Sequence, residues 1–401
     1  MIDSITFSNY KLFKEAQTLE IKPITILIGK NSSGKSALTK LPAVISKSLS
    51  GNMEEAIQWR NEEIDLGASY RDLIYERLDR SELIFSIKSG KGNLLEIILF
   101  PFGDEIKIIN WKLDDKIHLI YKPDLKYYLN LKDETKTPIE CSFKGFKLTK
   151  LNEVEINQEL EDLLKNFNYD YDYVGPYRAE ANNGGYVKPS KKIIEKVGKT
   201  GEAAYNMLFN DKLNNNSLIL NKISDWYSKT FEGWKINIDY DIDRELAFFQ
   251  LKRDSPREFA TSLNYVGQGI SQILPLVTCS FIENKNPMLY LFEEPELHLH
   301  PSAHGDLAER FVESLQNENK TYLIETHSEN FILRLRRLVA EKKYDFSCEK
   351  IAIYYINYDE ETNESILEKV IIESNGNVTN WPSKIFKESI TELIAIKNAK
   401  I

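Results

Sequence analysis

The chain has 401 residues, 42% of them hydrophobic, enough to bury a sizeable core in two or three domain-sized units. Its net charge of −9 and pI near 5.4 argue against a nucleic-acid binder that works by overall positive charge and confine any such contact to a local patch. Cys141, Cys279 and Cys348 stand far apart, the N-terminus lacks a basic stretch leading into an apolar run, and nowhere do 18 apolar residues follow one another; the expectation is a cytoplasmic globular protein without disulfides or a membrane span.

In chain order, residues 1–28 read as two short strands, ITFSNY and the buried run ITILIG, the second ending on a glycine-rich turn that leads into a helix from about Lys35. From about Ser81 to Leu151, alternating apolar and polar runs (LIFSIKSG, LLEIILF, IKIINWKL, IHLIYK, YYLNLK, CSFKGFKL) predict an antiparallel β region. Residues 153–168 and about 190–230 have helical spacing on either side of the strand-like YDYVGPYR, and KINIDYDI and LAFFQLKR form a β pair. A helix (about 269–283), the strand MLYLF, a helix (about 302–317), the strand TYLIET, a helix (329–342) and the strand IAIYYIN then alternate, which predicts a mainly parallel sheet. The tail ILEKVIIESNGNVTNWPSKIF reads as a closing hairpin about Asn375-Gly376. No internal repeat and no long heptad arm is seen.

Gly29-Lys30-Asn31-Ser32-Ser33-Gly34-Lys35-Ser36 fits G-x-x-x-x-G-K-[ST] in full, after a buried strand and before a helix as that motif requires. The glycines let backbone N–H groups turn onto phosphates, Lys35 would reach the β and γ oxygens, and the Ser36 hydroxyl would coordinate Mg²⁺; Ala37 completes the contact set at the helix start. The expected cofactors are therefore ATP and Mg²⁺.

Met288-Leu289-Tyr290-Leu291-Phe292-Glu293-Glu294-Pro295 is an apolar run ending in two carboxylates, where Glu293 would serve the metal and Glu294 would orient and deprotonate the attacking water. The run lies more than 250 residues after Ser36, too far for a compact P-loop core and suited to one with a large insertion. In Leu263-Asn264-Tyr265-Val266-Gly267-Gln268-Gly269-Ile270, Gly267 and Gly269 open a helix whose exposed N–H groups form an anion site. Tyr322-Leu323-Ile324-Glu325-Thr326-His327 is a buried strand followed by a histidine, and a neutral His327 imidazole could hydrogen-bond a γ-phosphate and report its loss. His298, His300 and His304 invite a metal reading, but no cysteine is near to complete a tetrahedral site.

Together GKNSSGKS, VGQGISQILPLV, LFEEPELHLHP and IETHS resemble the ABC-type ATPases related to OLD proteins, RecF and SMC heads, in matching order. IDLGASYRDLI (64–74), YVGPYRAE (173–180), VGKTGE (197–202) and NGNVTNWP are similar to a bacterial family with a C-terminal domain of unknown function. The resemblance implies an α/β fold: an ABC-type P-loop ATPase head with a mixed, mainly parallel sheet, an antiparallel β lobe and a helical insertion. Residues 1–60 would begin the ATPase core, 61–152 form the β lobe, 153–260 the insertion, and 261–401 complete the core with signature, acidic strand, switch histidine and hairpin. It implies a head-to-tail homodimer with two ATPs at the interface, Leu297 to Pro301 in the D-loop place, and a role in phage defence or DNA maintenance. About 70 residues follow His327, too few for the Toprim nuclease that OLD proteins append, so a separate effector protein, a nuclease first, is the expected partner. WPSKIFKE departs from that family's aromatic-rich ending, and no clean Q-loop glutamine is found. The alternatives are a nucleotide-gated scaffold with little turnover and a RecF-like DNA-end ATPase. Two basic runs, Arg334 to Lys343 and Lys188 to Lys199, read as solvated helix faces or as contacts for nucleic acid or a partner.

Overall fold

A computed structural model describes residues 1–78, 80–179, 186–188, 190, 194–253, 259–317, 319–382, 385–386 and 388–398. Its strands are β1 (Ile2–Ser8), β2 (Gln17–Glu20), β3 (Ile24–Gly29), β4 (Leu83–Ser89), β5 (Leu94–Phe102), β6 (Glu105–Leu113), β7 (Ile117–Lys122), β8 (Tyr127–Asn130), β9 (Pro138–Ile139), β10 (Cys141–Lys144), β11 (Lys147–Leu151), β12 (Val154–Glu155), β13 (Asp170–Val174), β14 (Tyr186–Val187), β15 (Trp234–Asp241), β16 (Leu246–Arg253), β17 (Phe259–Ser262), β18 (Met288–Glu293), β19 (Lys320–Glu325), β20 (Ile351–Asp359), β21 (Glu364–Ile372) and β22 (Val378–Thr379). The helices are α1 (Lys35–Leu49), α2 (Gln158–Lys165), α3 (Ala203–Asn214), α4 (Leu218–Thr230), α5 (Gln268–Gln272), α6 (Leu274–Phe281), α7 (Pro301–Ser314), α8 (Glu329–Glu341) and α9 (Glu388–Asn398).

The central sheet runs β13-β18-β19-β3-β20-β21-β22. Its first five strands are parallel, and the β21–β22 hairpin closes it antiparallel. Both faces are covered, which is why β3 and β18 read as continuous apolar runs with no polar alternation. Ile24, Ile26, Ile28, Tyr290, Phe292, Tyr322 and Ile324 pack on one side with residues of α3, α4, α6, α7 and α8. Leu27, Leu289, Leu291, Leu323 and Tyr354 point the other way, into a second core shared with α1 and the antiparallel sheet.

That antiparallel sheet, in the order β2-β1-β4-β5-β6-β7-β8-β9, begins at the N-terminus: β1 pairs with both β2 and β4. The three-stranded β10-β11-β12 sheet stands beside it, and β14 to β17 form a further sheet ahead of α5. The single helix expected over about 269–283 is broken at Ile273 into α5 and α6; Pro275, at the start of α6, lacks the N–H that would continue the ladder. The hairpin turns at Gly376 (φ 79°), as its Asn-Gly pair suggests, and α9 follows it. Among the residues singled out above, Glu180, Lys191, Lys192, Ser383, Lys384 and Lys387 lie outside the described residues.

Candidate nucleotide-binding site

The parallel strands all end at one edge, so the loops after β3, β18 and β19 meet there. β3 stops at Gly29, where a Cβ would lie 2.8 Å from the Ile356 carbonyl oxygen, and the loop winds through left-handed Ser32 (φ 62°) and Gly34 (φ 102°) into the start of α1. Ser33 is buried behind the loop and its carbonyl accepts from Ser365 Oγ at 2.7 Å. Lys35 Nζ donates to the Gly29 and Lys30 carbonyls at 3.1 and 2.7 Å, bending the side chain back over the loop. Burial lowers the Lys35 pKa, and Glu325 and Glu294 partly oppose that.

Glu293 and Glu325 are opposite one another in the β18–β19 ladder, and both are buried. Two facing carboxylates without water repel unless each is met by a donor or cation. Glu293 Oε1 accepts from Tyr173 Oη at 3.0 Å and pairs with Lys40 Nζ at 3.2 Å. Glu325 lies beside the Ser36 side chain, which favours its charged form, and 3.9 Å from Lys35 Nζ. Burial first, then Glu293, pushes the Glu325 carboxyl up to about 7, with Ser36 and Lys35 working against them. Its Oε2 is buried and has no hydrogen-bond partner among the described residues.

Glu294 takes a left-handed backbone (φ 44°), its N–H adding a last rung to the Glu325 carbonyl at 2.8 Å. Its Oε1 is 3.9 Å from His327 Nε2. Burial and Lys35 lower the His327 pKa, so the imidazole is neutral at pH 7. Glu296 ties the two strand ends together: its Oε1 accepts from Thr326 Oγ1 at 2.6 Å and from the His327 N–H at 2.7 Å.

These groups surround a pocket of about 500 Å³ lined by Asn31, Ser32, Gly34, Lys35, Ser36, Ala37, Glu294 and His327 from the residues expected above. Lys11, Leu12, Lys40, Asp65, Leu66 and Glu325 complete the lining, and Lys11 Nζ donates to the Leu66 carbonyl. Gly29, Lys30 and Ser33 belong to the loop but do not line the pocket, and Glu293 is engaged on Tyr173 and Lys40. Gly267 and Gly269 do not line this pocket. Gly269 is pressed onto the loop after β18, where a Cβ would sit 2.2 Å from the His298 carbonyl oxygen, while the space beside Gly267 is open.

Sequence reading missed Glu325, Lys40, Tyr173 and Arg178; for Glu325 the signal was a buried strand that ends in an acid two residues before the histidine. Of the other histidines singled out, His298 is exposed and the remaining two are used locally. His300 Nδ1 caps α7 through Ser302, and His304 bonds Ser328 Oγ at 2.7 Å and the Leu299 carbonyl at 3.2 Å. The described residues fit a divalent cation in one place, where ligand atoms of Glu294, Glu325 and His327 all lie within 4.8 Å of one another beside the unpartnered Glu325 oxygen. The basic run on α8 is largely paired: Arg334 bonds Asp306 and Glu309, Arg337 pairs with Glu309 and Glu341, and Lys343 reaches Glu309. No described helix is long and apolar enough to cross a membrane.

Comparison with curated proteins gives no match. Among solved structures, the chain resembles an SMC head bound to the C-winged helix domain of ScpA (12% identity, TM-score 0.45, covering 92% of this chain and 98% of that one). It also resembles the SMC head domain from Thermotoga maritima (10%, 0.41, 92% and 99%) and, from Pyrococcus furiosus, an SMC head with an extended coiled coil bound to the C-terminal domain of ScpA (10%, 0.41, 99% and 99%). Residues 347–395 match a family described as a protein of unknown function (DUF3696). Residues 1–332, which hold the phosphate loop, both acidic strand ends and His327, match the AAA ATPase domain family, and the chain belongs to it.

Proposed function

We propose that this chain binds Mg-ATP in the pocket at the start of α1, hydrolyses it, and pairs head-to-tail around it to control a separate effector, a nuclease first, in phage defence or DNA maintenance. The observation that carries the catalytic part is the convergence of Lys35, Ser36, Glu294, Glu325 and His327 on one pocket beneath a glycine loop. Backbone N–H groups from Gly29 to Ser36 and Ala37 would cradle the phosphates, with Lys35 swinging from its two loop carbonyls to the β and γ oxygens. Ser36 and Glu325 would hold a magnesium ion, with Glu293 adding charge from behind. Bound there, the ion would neutralise phosphate charge as the terminal phosphoryl group departs.

Glu294 is the general base in this reading. The 3.9 Å between its carboxylate and His327 exceeds a hydrogen bond and suits one bridging water, which Glu294 would deprotonate. Neutral His327 would donate to the terminal phosphate and lose that contact on hydrolysis. Gly267 would close on the phosphates held by the opposite subunit, which the open space beside it supports, while Gly269 packs on the loop after β18. The control of an effector and the setting in defence rest on the resemblance of the motifs alone.

Lys35→Ala should abolish binding of a fluorescent ATP analogue, whereas Glu294→Gln should bind it normally, lower turnover on the order of 100-fold or more and accumulate an ATP-dependent dimer. A Lys35→Ala protein with wild-type nucleotide affinity would overturn the site. Full assembly with non-hydrolysable ATP and negligible turnover under every condition would replace the hydrolase by a scaffold.

A further inference from the structure

We infer that Arg178 is a positioning residue for Glu294: its guanidinium fastens the two peptide carbonyls on which that carboxylate is mounted. The inference rests on the reading of Glu294 as the base. Arg178 is 5% exposed. Its Nη2 donates to the Glu293 carbonyl at 2.7 Å and to the Glu294 carbonyl at 2.8 Å. No other side chain contacts both carbonyls among the described residues.

The Glu294 backbone needs such a fastening. A non-glycine residue at φ 44° is strained and persists only where its surroundings fix it. One side is fixed by the Glu294 N–H on the Glu325 carbonyl at 2.8 Å. Pro295 follows and offers no N–H of its own. On the other side the Leu297 N–H donates to the Glu294 carbonyl at 3.1 Å, and Arg178 ties that carbonyl to the one of Glu293. Without it, relaxation of the Glu294 peptide would swing the carboxylate away from His327 while leaving the phosphate loop intact.

A neutral donor would suffice to satisfy two carbonyls, so a buried cation there needs a further reason. The charge is felt by three carboxylates, Glu296, Glu294 and Glu293, and although burial lowers its pKa to about 10 the guanidinium stays protonated at neutral pH. Among the described residues its Nε and Nη1 have no hydrogen-bond partner, so the bonds the guanidinium makes there are the two to these carbonyls.

The arm that carries Arg178 is itself pinned. Gly175 N–H donates to the Lys199 carbonyl at 2.8 Å and Ala179 N–H to the Thr200 carbonyl at 2.7 Å, while Asp172 accepts from the N–H groups of Val197 and Gly198 at 2.6 and 2.9 Å. Gly201 (φ 75°) then lies against Pro275 of α6, where a Cβ would come within 2.5 Å. YVGPYRA (173–179) and VGKTGE therefore form one brace between α6 and the Glu293-Glu294 peptide.

The test measures steady-state turnover, nucleotide affinity and thermal unfolding of the full chain for Arg178→Lys, Arg178→Gly, Glu294→Gln and the double variant Arg178→Lys/Glu294→Gln. Arg178→Lys keeps the charge but not the two-carbonyl geometry; it should lower kcat on the order of 10- to 100-fold with KM and analogue affinity within about threefold. Added guanidinium should restore part of the kcat of Arg178→Gly. The double variant should be no slower than Glu294→Gln alone, because both changes remove the same group's action. Wild-type kcat in Arg178→Lys beside an impaired Glu294→Gln would overturn the inference and spare the reading of Glu294. A further loss in the double variant, or a loss of nucleotide affinity equal to the loss of kcat, would also overturn it. A Glu294→Gln protein that turns over normally would remove the reading itself, and Arg178's role with it.

Discussion

Lys320 opens β19 and Glu325 closes it, each with 4% of its surface exposed, and burial drives both toward neutrality: the lysine is pulled down to about 7 and the acid pushed up to about 7. Their surroundings differ. Lys320 Nζ donates to the Cys279 and Ser280 carbonyls at 3.0 and 2.6 Å, in the last turn of α6, where a helix leaves carbonyls unmatched and favours a cation. Glu325 is met by Ser36, stands 3.9 Å from Lys35, keeps an oxygen with no partner, and lines the pocket. A buried charge is thus not by itself a sign of function. What separates the two ends is that one finds its partners within the fold, whereas the other keeps a buried oxygen without a partner among the described residues, on a side chain that lines the pocket.

The largest expected effect tests that distinction at the pocket end. Glu325→Gln keeps the shape and removes the charge, and it should lower turnover on the order of 100-fold, as loss of one preorganised charge in a water-poor site does. It should also abolish the extra thermal stabilisation that Mg²⁺ adds to bound ATP in the wild type. Wild-type turnover together with an unchanged Mg²⁺ increment would make Glu325 a second Lys320, a charge held only by the fold.

At the other end, Lys320→Met should leave turnover within about twofold and change the dependence of stability on pH. The folded pKa of Lys320, about 7, lies below its ordinary 10.5, so between these values the unfolded chain binds more protons than the folded one. Stability therefore rises with pH across that window and is lost as pH falls through it. Between pH 7 and 9 the wild type should gain on the order of 2 kcal/mol relative to Lys320→Met in urea unfolding. Parallel profiles for the two proteins would mean that Lys320 is not neutralised by folding.

The same contrast explains what could be read beforehand. The phosphate loop was legible because its chemistry needs one contiguous octapeptide at fixed spacing, and the strands leading to Glu293 and His327 were legible because both their faces are buried. Glu325 was hidden in plain view: as the last letter of TYLIE it looked like a strand boundary, and only the register that sets it opposite Glu293 and beside Ser36 gives it a role. Tyr173, Lys40 and Arg178 act on residues more than 100 positions away, across a pairing of β13 with β18 and a helix packed on the sheet, which no local pattern encodes. β2 escaped notice because in QTLE only Leu19 is fully buried. The break at Ile273 was visible in principle, since Pro275 marks it, but the apolar run through ILPLV masked the change of helix.

Glu293 lies between the two extremes and gives the smallest effect. Like Lys320 it is buried and partnered, by Tyr173 Oη at 3.0 Å and Lys40 Nζ at 3.2 Å; like Glu325 it stands at the pocket end of its strand. Tyr173→Phe removes one partner and leaves Lys40 Nζ on the carboxylate, which keeps its aim. The expected cost is about 1 kcal/mol of stability, the net worth of a single hydrogen bond, with turnover lowered less than about fivefold. Urea unfolding and steady-state turnover of the same preparation decide it. A fall in turnover matching that of Glu325→Gln would mean that the aim of Glu293, and not its charge alone, is needed at the pocket, and would place both carboxylates on the side of the comparison that faces the ligand.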